Sequence, residues 1–248
     1  MSDYVKWIGA GLGWALGGPI GAIFGLILGT AVDNANKNET SKTFQKRNDK
    51  SKKQQTKPGD FELSFLILSA VVIKADGKVD KRELDFVRKH FIKMYGSSRA
   101  ERAFKLFNGI IKKEVPTIEV CKQIRENMDH ASRLQLLHFL FGIAKADGDI
   151  HYKEIEEIQK IAGYLRIRMA DFESIKAMFV DSVFDAYKVL EIEETASITE
   201  IKIAYRKMVK KYHPDKVRHL GKEHQKGAEE KFKQVQKAYE IIQKERGL

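Results

Sequence analysis

Two constellations in this 248-residue chain have residue types and spacings that could do chemistry. The first is ITEIKIAYRKMVKKYHPDK, running from Ile198 to Lys216. Ile198, Ile201, Tyr205, Met208 and Tyr212 recur at steps of three and four, which draws an apolar stripe down one helix. The opposite face carries Lys202, Arg206, Lys207, Lys210 and Lys211. Pro214 disfavours helical geometry at the residue before it, so the helix stops at His213-Pro214-Asp215. A basic helix ending in a stiff charged tip suits docking onto an acidic protein surface and does not look like a catalytic centre. The second constellation is acidic: Asp76 with Glu83 and Asp147 with Glu154, two copies at a constant offset of 71 residues.

The acidic pairs sit in an internal repeat. AVVIKADGKVDKRELDFV, from Ala70 to Val87, aligns with FGIAKADGDIHYKEIEEI, from Phe141 to Ile158. Each copy predicts an apolar helix, an Asp-Gly turn, one apolar residue (Val79 or Ile150) and an acidic helix. Two readings fit. In the first, Gly77 and Gly148 take the left-handed position after a helix, and Asp80/Glu83 and His151/Glu154 are capping boxes. In the second, Asp76, Glu83, Asp147 and Glu154 converge through pseudo-twofold symmetry on a divalent cation. All-oxygen ligands would favour calcium, magnesium or manganese over zinc. The spacing is not that of an EF-hand loop.

The elements that position these residues are all expected to be helical. Phe61–Lys74 is almost wholly apolar, as in a helix buried on most sides. Further helices are predicted over Asp80–Tyr95, Arg99–Lys113, Thr117–Met128, Ser132–Lys145, His151–Leu165 and Asp171–Phe179. These are enough to bury a core as one domain, residues 60–180. In the last quarter a short helix offers Phe184, Tyr187 and Leu190 to a core. Thr199 is placed to cap the basic helix, with Lys202 where a capping box would want Glu. Lys216 to Gly227 reads as a polar loop. Phe232, Val235, Tyr239 and Ile242 then repeat the three-four rhythm, so residues 182–248 should form an antiparallel hairpin, with Ala204 and Ala238 permitting close approach.

The front of the chain is different. Trp7 to Val32 holds 26 residues without a charge, enough to cross roughly 30 Å of hydrocarbon as a helix. It lacks the shape of a cleaved signal peptide. Gly9, Gly13, Gly17, Gly21, Gly25 and Gly29 fall at unbroken four-residue intervals, the pattern that lets two membrane helices approach closely. One reading makes residues 1–32 a transmembrane anchor that pairs into a homodimer through this ladder. The other is a buried glycine-rich hairpin or a loosely ordered tail, since glycines and Pro19 weaken a helix in water. Asp33 to Lys57 carries eight Lys/Arg against three acids, a net of +5. It reads as a flexible linker over residues 33–59, either resting on anionic lipid or merely solvated. The positive-inside rule puts everything after Val32 in the cytoplasm and the amino terminus outside.

Composition narrows the partners. The chain has 45 Lys+Arg against 34 Asp+Glu, net +11, so acidic partners are favoured. A nucleic-acid role rests on charge alone, without a recognised reading motif. One cysteine, Cys121, excludes an intramolecular disulfide framework, and no CxxC or Cys/His cluster exists for zinc. No nucleophile elbow, P-loop or dinucleotide fingerprint marks an enzyme.

Residues 61–180 resemble the TerB family on the two KADG…E copies, which implies a helical domain that chelates metal through acidic residues. Residues 182–248 resemble a J domain on D-A-Y-x-V-L, then A-Y-R-K-x-V-x-K-Y-H-P-D-K, then F-x-x-V-x-x-A-Y-E-I-I. That resemblance implies a co-chaperone that binds a DnaK-type chaperone and accelerates its ATP hydrolysis. Carried over by position, His213, Pro214 and Asp215 form the essential tip, and Lys202, Arg206, Lys207, Lys210 and Lys211 the basic docking face. Tyr187, Leu190, Tyr205, Phe232 and Tyr239 fall on core positions. The whole order resembles the DjlA group of membrane-anchored bacterial co-chaperones, implying a single-pass inner-membrane protein with a cytoplasmic J domain and no required cofactor. A competing reading is a metal-responsive envelope-stress protein with the J domain as output.

Overall fold

The computed structural model describes residues 58–148, 150–179 and 183–247. The expected anchor, its glycine ladder and the linker up to residue 57 lie outside the described residues. Among the described residues every regular element is helical, and no helix is long and apolar enough to cross a membrane. In chain order these are α1 (Pro58–Ile73), α2 (Lys81–Tyr95), α3 (Ser97–Ile110), α4 (Thr117–Asn127), α5 (His130–Ala144), α6 (Tyr152–Tyr164) and α7 (Met169–Ala177). Then follow α8 (Val183–Val189), α9 (Ile198–Lys211), a 3-10 helix (Pro214–Leu220) and α10 (Lys222–Arg246).

The two apolar helices of the repeat, α1 and α5, pack against each other at the centre of the first unit. Phe65 of α1 lies 5.3 Å from Phe139 of α5 and stacks on Phe91 of α2 at 5.4 Å. The β-branched run Val71-Val72-Ile73 is poor in helix propensity. Burial overrides that weakness, since each fully buried large apolar side chain contributes about 1.5–3 kcal/mol against a few tenths for propensity. The flanking helices are amphipathic: α2 buries Glu83, Val87 and Phe91, and α6 buries Glu154, Ile158, Ile161 and Ala162. Gly77 and Gly148 have φ of +85° and +126°, which is why glycine opens both turns.

In the last quarter α9 and α10 pack together, with Ile201, Ala204 and Met208 buried on one side and Val235, Ala238 and Ile242 on the other. Tyr205 and Tyr239 stack at 4.1 Å across the pair, and Tyr187 and Leu190 are buried beside it.

Three local expectations are corrected here. Ser197, not Thr199, caps α9; its hydroxyl accepts from the Glu200 N–H, and the Glu200 carboxylate accepts from the Ser197 N–H at 2.8 Å. The helix starts two residues earlier than Thr199 would allow, so the box has its Glu and Lys202 is only an exposed cation. Ile198 is therefore in the first, open turn and half exposed, at 49%. The supposed loop from Lys216 is the 3-10 helix, held down by buried Val217 and Leu220 and closed by Gly221 at φ +109°, after which α10 begins at Lys222.

Candidate functional site

The expected docking face is assembled by α9 and its exit. With Ile201, Ala204 and Met208 turned inward, Lys202, Arg206 and Lys210 project from the exposed side. The helix ends with Tyr212, whose N–H donates to the Met208 carbonyl at 2.9 Å and whose ring is buried. His213 then turns extended (φ −60°, ψ 132°), as a residue before proline must. Its Nδ1 accepts a long hydrogen bond from the Asp215 N–H at 3.3 Å, so the neutral ring carries its proton on Nε2. The side chains of His213 and Asp215 are 49% and 72% exposed, so the tip is held in shape yet open. Beside it lies a groove of about 520 Å³, lined by Tyr205, Arg206, Val209, Lys210, His213 and Lys216. It has an apolar floor and a cationic rim, a surface for an acidic partner with a few apolar side chains.

The five expected cations are not equivalent. Among the described residues Lys202, Arg206 and Lys210 form no ion pair, whereas Lys207 donates to Glu191 at 2.9 Å and Lys211 pairs with both Glu191 and Asp171. Lys211 is only 12% exposed. The sequence could not show this, because Asp171 is 40 residues away in α7 and carries no local signal of its partner. Its carboxylate is fully buried and takes two hydrogen bonds from Arg168, at 3.0 and 3.1 Å, with His130 at 3.6 Å. Burial pushes its pKa up, but these donors and Lys211 outweigh that and hold it well below the usual carboxylate range.

The four acidic residues of the repeat do come together, in a cup of about 480 Å³ lined also by Asp80 and His151. Both capping boxes form: the Glu83 carboxylate accepts from the Asp80 N–H at 3.2 Å, and that of Glu154 from the His151 N–H at 2.9 Å. Arg82 joins the two turns, bonding Asp80 through its own side chain and donating to the Asp147 carbonyl at 2.8 Å. That guanidinium holds the exposed Asp80 carboxyl down at about 2.

Glu83 and Glu154 are 5% and 6% exposed and face each other. Burial pushes both pKa values up, and the Glu154 carboxyl beside it helps carry Glu83 to about 8. Glu83 Oε1 and Asp147 Oδ1 are buried without another donor, which suits a hard cation. As placed, however, no three His, Cys, Asp or Glu among the described residues are gathered to hold a metal ion. Arg82 already stands as a cation beside Asp80 and Asp147.

Three segments of the chain match known families. Residues 185–247 match the DnaJ domain, 62–177 the tellurite resistance protein TerB, and 1–46 the transmembrane domain of the co-chaperone DjlA. The chain thus has a DjlA-like architecture. Co-chaperone protein DjlA of Vibrio cholerae serotype O1 is 29% identical over 226 residues, covering 76% of this chain and 78% of that protein. Its counterpart in Vibrio vulnificus is 28% identical over 228 residues, with the same shares. Chaperone protein DnaJ of Mesomycoplasma hyopneumoniae is 56% identical over 61 residues, 25% of this chain and 17% of that protein. No solved structure matches.

The raised pKa of Glu83 makes stability depend on pH. An unfolded Glu titrates near 4.3, and the folded chain holds the Glu83 proton to about 8. The contribution is therefore full below the unfolded value and is lost as pH rises through about 8. Buried Lys231, lowered to about 7 by desolvation, acts in the opposite sense, so the comparison of variants isolates Glu83. In chelator, the melting temperature of Glu83→Gln relative to the parent chain should rise between pH 6 and 9, read by differential scanning fluorimetry. A difference that stays constant across that range contradicts the raised pKa of Glu83.

Proposed function

We propose that this protein is a membrane-anchored co-chaperone that binds a DnaK-type chaperone through residues 182–248 and stimulates its ATPase at the cytoplasmic face. The observation that carries the reading is the exposed His213-Pro214-Asp215 tip beside a cationic groove, within a DjlA-like architecture. In this reading the chemistry belongs to the partner. The chain biases a conformational equilibrium in that partner. Lys202, Arg206 and Lys210 steer the approach, so the association weakens as salt rises. Asp215 accepts from a guanidinium or backbone N–H of the partner, and Pro214 holds its two neighbours at fixed bearings with little ordering cost. The charge-free segment before the basic linker supports a single-pass anchor with the amino terminus outside, and its glycine ladder supports pairing of two anchors.

A second reading concerns the acidic cup. Asp76, Glu83, Asp147 and Glu154 would bind a divalent cation once Glu83 gives up its proton and Arg82 moves off Asp147, making the first unit metal-responsive with the docking face as output. The two orphaned oxygens, Glu83 Oε1 and Asp147 Oδ1, favour it.

The first reading predicts that the purified chain in detergent raises the ATP turnover of its native DnaK-type chaperone, that His213→Gln abolishes the increase, and that Arg206→Ala raises the half-saturating concentration roughly two- to fivefold. An unchanged turnover with the parent chain contradicts it. For the second, calorimetry at pH 8 with calcium, magnesium, manganese and zinc should give binding that Asp76→Ala with Asp147→Ala removes. No heat with any of the four, or heat that survives the double variant, rejects it.

A further inference from the structure

The docking helix is not equally available along its length. Its last turn is clamped from the side: Lys211 reaches Asp171 of α7 and Glu191 just after α8, while Lys202, Arg206 and Lys210 stay open. Asp171 belongs to the TerB-matching segment and Lys211 to the DnaJ-matching one, so the contact joins the two. A cation turned into a buried carboxylate cannot also meet an acidic partner.

Resting on the co-chaperone reading, we infer that Asp171 is an intramolecular competitor for the docking face: it withholds Lys211, and partner binding must displace it.

The arrangement around the pair makes the contact reversible. A buried ion pair normally resists opening because one partner is left charged and alone. Here neither is. Asp171 keeps its two hydrogen bonds from Arg168 and the neighbouring His130, and Lys211 keeps Glu191, which also holds Lys207. The seam between the two segments is itself a balance of opposing terms. It gains from His219 on Asp129 at 2.9 Å, His224 on Tyr95 at 3.0 Å and the edge of His224 on Phe61 at 4.5 Å. Against that, the Gln135 amide and His138 Nδ1 are buried without partners, and the Lys231 amine is buried against the Tyr212 ring at 5.4 Å. Groups of that kind recover hydration when a contact opens. Two variants push the competition in opposite directions. Asp171→Asn removes the competing charge. Arg168→Gln, at a side chain 61% exposed, takes away an alternative partner of Asp171 and tightens its hold on Lys211.

The test uses the full chain in detergent with its DnaK-type chaperone, reading the half-saturating concentration for ATPase stimulation. Asp171→Asn should lower it roughly two- to fivefold, and Arg168→Gln should raise it about twofold. The gain from Asp171→Asn should be present with Lys211 and absent in the Lys211→Ala background. No shift in either variant, or a gain that persists without Lys211, overturns the inference. A second readout does not depend on the chaperone: acylation of lysines by an amine-reactive ester, followed by peptide mass spectrometry. Lys211 should react more slowly than Lys210 in the parent chain and catch up in Asp171→Asn; equal rates in the parent chain overturn the clamp. A parent chain that stimulates nothing overturns the co-chaperone reading, while the acylation rates still decide whether Asp171 holds Lys211.

Discussion

The packing of α9 onto α10 is the constraint on which the functional surface depends. Ile201, Ala204 and Met208 against Val235, Ala238 and Ile242 fix the rotation of α9 about its own axis. That rotation decides which side of the helix faces away from α10 and where the chain leaves it. Pro214 then converts the helix end into a rigid corner, and buried Val217 and Leu220 pin the far side of it. A tip presented this way is ordered before any partner arrives, so little conformational entropy is lost on docking.

The first unit uses the same economy twice. Each copy of the repeat places an apolar helix in the core, a glycine with positive φ at the turn and a capping box at the start of the next helix. The box needs a Glu at its third position, and both helix starts line the same cup. Together they force two carboxylates into one buried place, where like charges cannot both ionise cheaply. The raised pKa of Glu83 follows from that placement, and a divalent cation would have to replace the proton it holds.

Much of this was legible in the chain itself. The three-four spacing from Ile201 to Tyr212 located α9, the offset of 71 residues located the two turns, and the Asp80/Glu83 and His151/Glu154 spacings announced their caps. What stayed hidden depends on distance in sequence or on one residue of register. Ser197 rather than Thr199 caps α9 because Glu200 completes the box from there, a choice that hydrophobic spacing does not resolve. The Lys216 region looked polar because Val217 and Leu220 are too few to show a period, though two buried anchors suffice for a short 3-10 helix. Lys211 looked equivalent to its neighbours because its partner Asp171 sits in another segment, and no local pattern encodes a pairing across 40 residues.

In the proposed function the α9 face and the tip are the surface that meets the chaperone. Amide hydrogen exchange of the full chain, with and without the DnaK-type chaperone in its ATP state, tests this most directly. Protection confined to residues 202–216, with residues 76–83 and 147–154 unchanged, is the predicted result. Protection centred on the acidic cup with the tip exchanging as before would contradict it.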